Sequence, residues 1–256
     1  MTIGSFNVKD NFINNHGGQR DDGKSNADIV SKIIIAEEFD LLGTQELTIN
    51  YVNEIATRLK DYKFYGDYRY GNIIKKMPFN ETNSIITNKK IDFTETIHLP
   101  WIPNNITDLK TSIVKFSIMP RIATIVIIND EENGRICMIN THLDYQISSI
   151  QLRQLQELKK IIQKYSQNYP VILTGDFNME LEDYNFDNFR KDIRKENKLV
   201  RVDINDKTWH NPKGEDKVLD HIFIPDYWTI ENAGIISSQK TSDHDLIYVN
   251  TKVKRK

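Results

Sequence analysis

The chain has 256 residues, 39% hydrophobic and 27% charged, a balance typical of soluble globular proteins rather than disordered or fibrous ones. A formal net charge of −2 and a pI near 6.3 exclude a protein that binds polyanions over its whole surface, though not one with a local basic face. A single cysteine, Cys137, excludes an intramolecular disulfide, and no stretch reaches transmembrane length. Met1 abuts the first predicted strand, leaving no room for a signal peptide, so the expected compartment is the cytoplasm.

Thr2 to Val8 alternates as a first strand, and a Gly/Asp/Asn-rich loop follows from Asn14 to Lys24. Ser25 with Asp28 three residues on resembles a capped helix start, and Ile29, Ile33 and Ala36 keep a helical face to Glu38. Asp40 to Thr44 is a short buried strand delivering Gln45 and Glu46. A helix fits Ile49 to Leu59, and strands fit Lys63 to Tyr68, Ser84 to Thr87 and Phe93 to Leu99. Pro100 to Met119 reads as surface loop. Ile122 to Asn129 and Arg135 to Thr141 form a hairpin through Asp130 to Gly134, with Cys137 as a small buried residue. Ile147 to Tyr165 carries the clearest helical stripe: Ile147, Ile150, Leu155, Leu158, Ile162 and Tyr165. Pro170 to Thr174 is a buried strand that ends at Gly175. A helix then fits Asp187 to Asn197, and strands fit Val218 to Ile224, Thr229 to Ile236 and Leu246 to Val253. The basic tail Lys252 to Lys256 reads as a solvated end. Hairpins mixed with helical crossovers favour two packed mixed sheets with helices outside, in one domain of residues 1–256.

Polar clusters repeatedly end or interrupt these apolar runs: Ser5-Phe6-Asn7, Thr44-Gln45-Glu46, Asn140-Thr141-His142-Leu143-Asp144, Gly175-Asp176-Phe177-Asn178, Leu219-Asp220-His221 and Ser242-Asp243-His244. If the backbone stays extended past Gly175, Asp176 and Asn178 share a face and point into one site. An Asx turn is the alternative for the same two residues.

In order and spacing these clusters resemble the endonuclease/exonuclease/phosphatase superfamily, over residues 3 to 249. The resemblance implies an α+β fold, a four-layer αββα sandwich of two mixed sheets flanked by helices. It implies a hydrolase of phosphoric esters, with Glu46 and Asn7 holding a metal ion and Asp243 ligating or supporting it. Hard oxygen donors without a cysteine or histidine cluster favour Mg²⁺, with Mn²⁺ as a substitute. On the same resemblance Asp176 orients or deprotonates the attacking water, Asn178 holds a phosphate oxygen, and Asp220 orients His244. His142, at the position where the deoxyribonuclease-like and phosphatase-like branches carry histidine, hydrogen-bonds the scissile phosphate or helps protonate the leaving group.

Further candidates for substrate binding are Arg121, Glu81 (as a partner of His142), Asn83 and His210, the last in Thr208-Trp209-His210. Trp209 is expected to pack the core, and His221 to fill the space of a tyrosine in relatives. The leading expectation is a phosphodiester-cleaving nuclease acting on DNA or RNA. The near-neutral charge keeps a phosphatase or phosphodiesterase for small sugar, nucleotide or lipid head-group phosphates in play. A non-catalytic anion-binding protein on the same fold is the reading of another class. Clustering of Arg69, Lys75, Lys76, Lys89 and Lys90 on one rim would favour a polymer. No membrane segment and no protein partner are expected.

Overall fold

The computed structural model describes residues 1–9, 25–71, 80–101, 119–211 and 213–254. The loop read at 14–24, most of that at 100–119, the Lys75–Lys76 pair and the end of the basic tail lie outside these residues. Two six-stranded mixed sheets pack face to face. In the first the order is β11 (Thr229–Ile236), β12 (Leu246–Lys252), β1 (Thr2–Asn7), β2 (Leu41–Gln45), β4 (Ile85–Thr87) and β3 (Lys63–Tyr65). In the second it is β5 (Lys90–His98), β6 (Ile122–Asp130), β7 (Gly134–His142), β8 (Val171–Asp176), β10 (Asp220–Pro225) and β9 (Leu199–Arg201).

Each sheet has one parallel pair, β1 with β2 and β7 with β8, and every other pairing is antiparallel. A parallel pair needs a crossover, and a helix supplies it in both sheets: α1 (Asn26–Glu37) and α3 (Ser148–Ser166). With α2 (Ile49–Arg58) and α4 (Tyr184–Asn197) these helices form the two outer layers. Ile29, Val30, Ile33, Ile34 and Ile55 pack on the outer face of the first sheet against Phe6, Leu42 and Ile86. Leu155, Leu158, Ile162, Phe186 and Phe189 cover the second sheet over Ile125, Cys137, Ile139 and Phe223. Between the sheets lies a layer of Ile, Val and Met side chains, among them Ile3, Val126, Met138, Ile172 and Val249. The four-layer αββα expectation holds.

The first helix starts as its sequence proposes, with Ser25 and Asp28 forming a reciprocal capping box. The last begins three residues earlier than predicted, because Asp183 caps it by accepting from the Asn185 and Phe186 amides. The edge strand β9 went unpredicted; three residues are too few to show a period.

At the end of the sandwich where both parallel pairs finish, a polar staple crosses the apolar layer. The Asn140 amide donates to the carbonyls of Thr44 (2.9 Å) and Ser84 (3.0 Å), and its oxygen accepts from Gln45 Nε2 (2.7 Å) and Thr174 Oγ1 (3.1 Å). Gly43 makes the approach possible, since a Cβ there would sit 2.4 Å from Thr174 Oγ1.

Candidate functional site

The carboxyl ends of β1, β2, β7 and β8 converge on one cleft of about 820 Å³, as ligand sites in α/β sheets gather where parallel strands end. Register places the side chains. His142 pairs with Asp176, and Asp176 with Asp220, so three adjacent strands of the second sheet line up their polar ends. From the first sheet come Asn7 and, just past β2, Glu46. The Glu46 backbone is left-handed (φ +60°), which turns the chain out of the strand at the cleft. The lead-in to β12 is tied to β1 by Ser242, whose hydroxyl donates to the Asn7 carbonyl (2.7 Å) and accepts from the His244 amide (3.0 Å).

Asn7 is fully buried, and its amide nitrogen donates to Glu46 Oε1 and Asp176 Oδ2, both at 3.0 Å. Its carbonyl oxygen accepts from the Lys9 amide. The structure gives Asn7 a bridge between two carboxylates, beside the metal-holding role expected of it.

His244 Nδ1 lies 2.8 Å from Asp220 Oδ2, and its Nε2 is 3.6 Å from Asp176 Oδ2, so the imidazole stands between two buried acids. Burial alone would lower its pKa, but Asp220 and Asp176 outweigh burial and raise it to about 10. Burial pushes Asp176 up, to about 7, against the pull of His244. His142 Nε2 is also 3.6 Å from Asp176 Oδ2, yet burial, aided by Arg121 and Arg69, holds this ring well below the ordinary value. His142 Nδ1 is buried without a hydrogen bond.

Asp176 and Asn178 both line the cleft, but not through an extended backbone. Asn178 is left-handed (φ +53°), its amide N–H donates to Asp176 Oδ1 at 2.9 Å, and its side chain donates to the Leu143 carbonyl at 3.1 Å. The Asx turn and the shared site coexist. Gly175 is required where the chain leaves β8, since a Cβ would lie 2.3 Å from the Thr141 carbonyl oxygen.

Asp176, Asp220 and His244 hold ligand atoms within 4.8 Å of one another and could take a metal ion. The Glu46 carboxylate and the buried, unpartnered Asp243 Oδ1 are hard oxygen donors on the cleft, and this set also fits a divalent cation. Asp243 Oδ2 is ion-paired with Lys9 and accepts from Trp209 Nε1 at 3.0 Å.

Other sequence expectations move. Glu81 reaches the cleft but pairs with Arg69 rather than His142. Asn83 is buried and donates its amide to the Ile122 carbonyl (2.8 Å), because it must satisfy backbone where β6 begins. His210 is held outside the cleft lining by Asp216 (3.0 Å) and Asp245 (2.7 Å). Trp209 lines the cleft instead of the core, whereas His221 packs among Phe177, Phe186 and Phe223 as expected. Asp144 holds the loop before α3, accepting from the Gln146 and Ile147 amides.

Arg121 is buried and forms no ion pair among the described residues. Lys89 bridges Asp40 and Asp130, away from the cleft lining that holds Arg69, so these two do not form one basic rim. Lys9, Arg69, Tyr145 and Lys217 also line the cleft. Arg69 had been noticed only as a basic rim residue. The other three carry no periodicity or spacing that singles them out.

The sequence profile described as Endonuclease/Exonuclease/phosphatase family matches residues 4–244. Comparison with curated proteins finds no match. Among solved structures, a mannosyl-6-phosphatase of Bacteroides thetaiotaomicron VPI-5482 superposes with a TM-score of 0.77 at 19% identity, covering 98% of this chain and 99% of its own. TDP2 of D. rerio, complexed with single-strand DNA product, gives 0.71 at 17% identity, with 98% of each chain covered. The human nocturnin catalytic domain with bound sulfate gives 0.72 at 17% identity over 99% of this chain and 93% of that one. At these identities the likeness shows the fold. No helix among the described residues is long and apolar enough to cross a membrane.

Proposed function

Because the chain belongs to the Endonuclease/Exonuclease/phosphatase family, whose members are hydrolases acting on phosphoester bonds, we propose that it cleaves phosphodiesters with Mg²⁺, as a nuclease. The observation that carries this reading is the row Asp220–His244–Asp176 at the cleft floor. It sets a cation and a proton acceptor side by side in a buried site.

In this reading Asp176, its pKa raised by burial, orients the attacking water and takes its proton, while Asn7 keeps its carboxylate apart from that of Glu46. The His244 imidazolium, held at Nδ1 by Asp220, directs Nε2–H at a non-bridging phosphate oxygen. His142 stays neutral, so it donates a hydrogen bond to the phosphate rather than a proton to the leaving group. Asn178, with one amide hydrogen on the Leu143 carbonyl, offers the other to phosphate. Glu46 and Asp243 would hold the metal ion, with Mn²⁺ a workable replacement. Bound there, it would neutralise charge developing on the leaving oxygen.

The substrate is a DNA or RNA strand on this proposal, and one cytoplasmic domain carries the whole site. A net charge of −2 supports a second reading, small phosphate esters. Plasmid nicking with Mg²⁺, beside EDTA and Asp176→Asn controls, separates them. Nicking lost in both controls supports a nuclease, and no nicking by folded protein turns the reading to small esters. Near-full activity of Asp176→Asn would sink the mechanism.

A further inference from the structure

Among the described residues Arg121 is a buried charge that makes no direct ion pair. It is 5% exposed, its Nε has no partner, and it takes part in no ion pair or side-chain hydrogen bond. Its neighbour Arg69 is neutralised by Glu81. Glu46, Asp144 and Asp176 act on its charge from a distance, but none forms an ion pair with it; Glu46 and Asp176 receive the Asn7 amide, and Asp144 receives backbone N–H groups. Leaving a guanidinium unpaired out of water is costly, and its planar fork of N–H groups fits two oxygens of one phosphate. The ring of Tyr145, itself 60% exposed, covers Arg121 with its centroid 6.0 Å from Cζ. Both residues line the cleft.

Register sets the Arg121 backbone apart from the hydrolytic row, while its charge is still felt by Asp176 and His142. Arg121 lies just before β6, where its carbonyl accepts from Leu99, and β7 stands between β6 and Asp176 on β8. Two strand spacings put its backbone roughly 10 Å from that of Asp176. His142 ends the intervening strand, so in sheet order it stands between Arg121 and Asp176.

We propose that Arg121, beneath Tyr145, binds a second phosphate of the substrate, next to the one being hydrolysed. The proposal rests on the hydrolytic reading above and extends it to the class of substrate: one carrying two phosphates. That second phosphate comes either from the next link of a nucleotide strand or from a small bisphosphate.

Two matched pairs distinguish these sources. Hydrolysis by the Mg²⁺-loaded protein is compared for a thymidine dinucleotide with and without a 5′-phosphate, and for a hexose bisphosphate against its monophosphate. The preferred pair should differ by about 30-fold in kcat/KM, the scale of one charged hydrogen-bonded contact, and Arg121→Met should reduce that ratio to near one. Equal loss on both members of each pair would overturn the proposal, since Arg121 would then touch only the scissile phosphate. Melting separates a structural arginine from a ligand-binding one. Arg121→Met should hold or raise Tm, because it removes an unpaired buried charge. A lower Tm with the ratio intact would assign Arg121 to the fold.

If the wild type hydrolyses neither pair, ³¹P line broadening of inorganic phosphate, in EDTA, tests the subsite alone. Broadening abolished by Arg121→Met but kept by Asp176→Asn retains the anion site while the hydrolytic reading falls. No broadening by the wild type sinks the subsite.

Discussion

Two regions of one cleft hold histidines of nearly equal burial, one charged and one neutral. His142 is 4% and His244 5% exposed, and each sets Nε2 3.6 Å from the same oxygen, Asp176 Oδ2. His244 has a second acid hydrogen-bonded at Nδ1 (2.8 Å) and is held protonated, while His142 has two arginines nearby, Glu46 only at 4.0 Å and no hydrogen bond on Nδ1, and is held neutral. Burial penalises the charged form of both, and only at His244 do the neighbouring acids outweigh it. One fold thereby obtains a fixed cation and a fixed neutral donor from the same residue type.

Removing the acid both rings share is the largest break. Asp176→Asn should lower turnover of a phosphodiester by about 10³-fold or more, measured in steady state, with a folded far-ultraviolet spectrum retained. Removing the acid that only His244 owns comes next. Asp220→Asn should cut turnover by about 10²-fold and bring the His244 pKa down from about 10, toward the behaviour of His142, as followed by imidazole proton resonances. A His244 pKa unmoved by that change would mean the neighbours do not set the contrast. His142→Gln keeps a neutral amide donor at the other ring's place and should cost about 10-fold, in kcat more than in KM. If Glu46 and Asp243 hold a divalent ion, saturating Mg²⁺ should raise Tm by roughly 5 °C over EDTA, and Glu46→Gln should erase most of that shift.

A third histidine serves as the control. His221 sits among phenylalanines, accepts from Arg201 Nε at Nδ1, and is held well below 6.5 by burial first and Arg201 second. The folded chain keeps it neutral while the unfolded chain takes a proton. Its stabilisation is complete above pH 6.5 and is lost as pH falls. His221→Tyr should therefore remove about 1.4 kcal/mol per pH unit of acid sensitivity just below that pH, read from urea melts at paired pH values.

Much of this was legible in the chain. Strand ends announce themselves where β-branched runs meet an acid, amide or histidine, and Glu46, His142, Asp176, Asp220 and His244 were all read that way. Orientation was not legible. Asn83 was read as a candidate substrate binder ahead of a strand, yet its amide satisfies a backbone carbonyl, a choice fixed by the start of a strand far along the chain. Asn7 was read as a metal-holding residue, whereas its amide faces the acids and the Lys9 backbone claims its oxygen. Trp209 was given to the core because an indole is mostly apolar, whereas its N–H found Asp243. Tyr145 reached the cleft through a loop, where no period marks a residue.

The Asn140 staple sets how the two halves of the site keep their spacing. Glu46 and Asp176 belong to opposite sheets, and the layer of Ile, Val and Met side chains between those sheets is held by forces without direction. Asn140 replaces that softness with three directed bonds of 2.7–3.0 Å across the layer, to Gln45, Thr44 and Ser84. The catalytic gap is thus gauged by an amide rather than by packing pressure. Warming the protein should leave its chemistry intact until the sheets part, so that activity and fold are lost together.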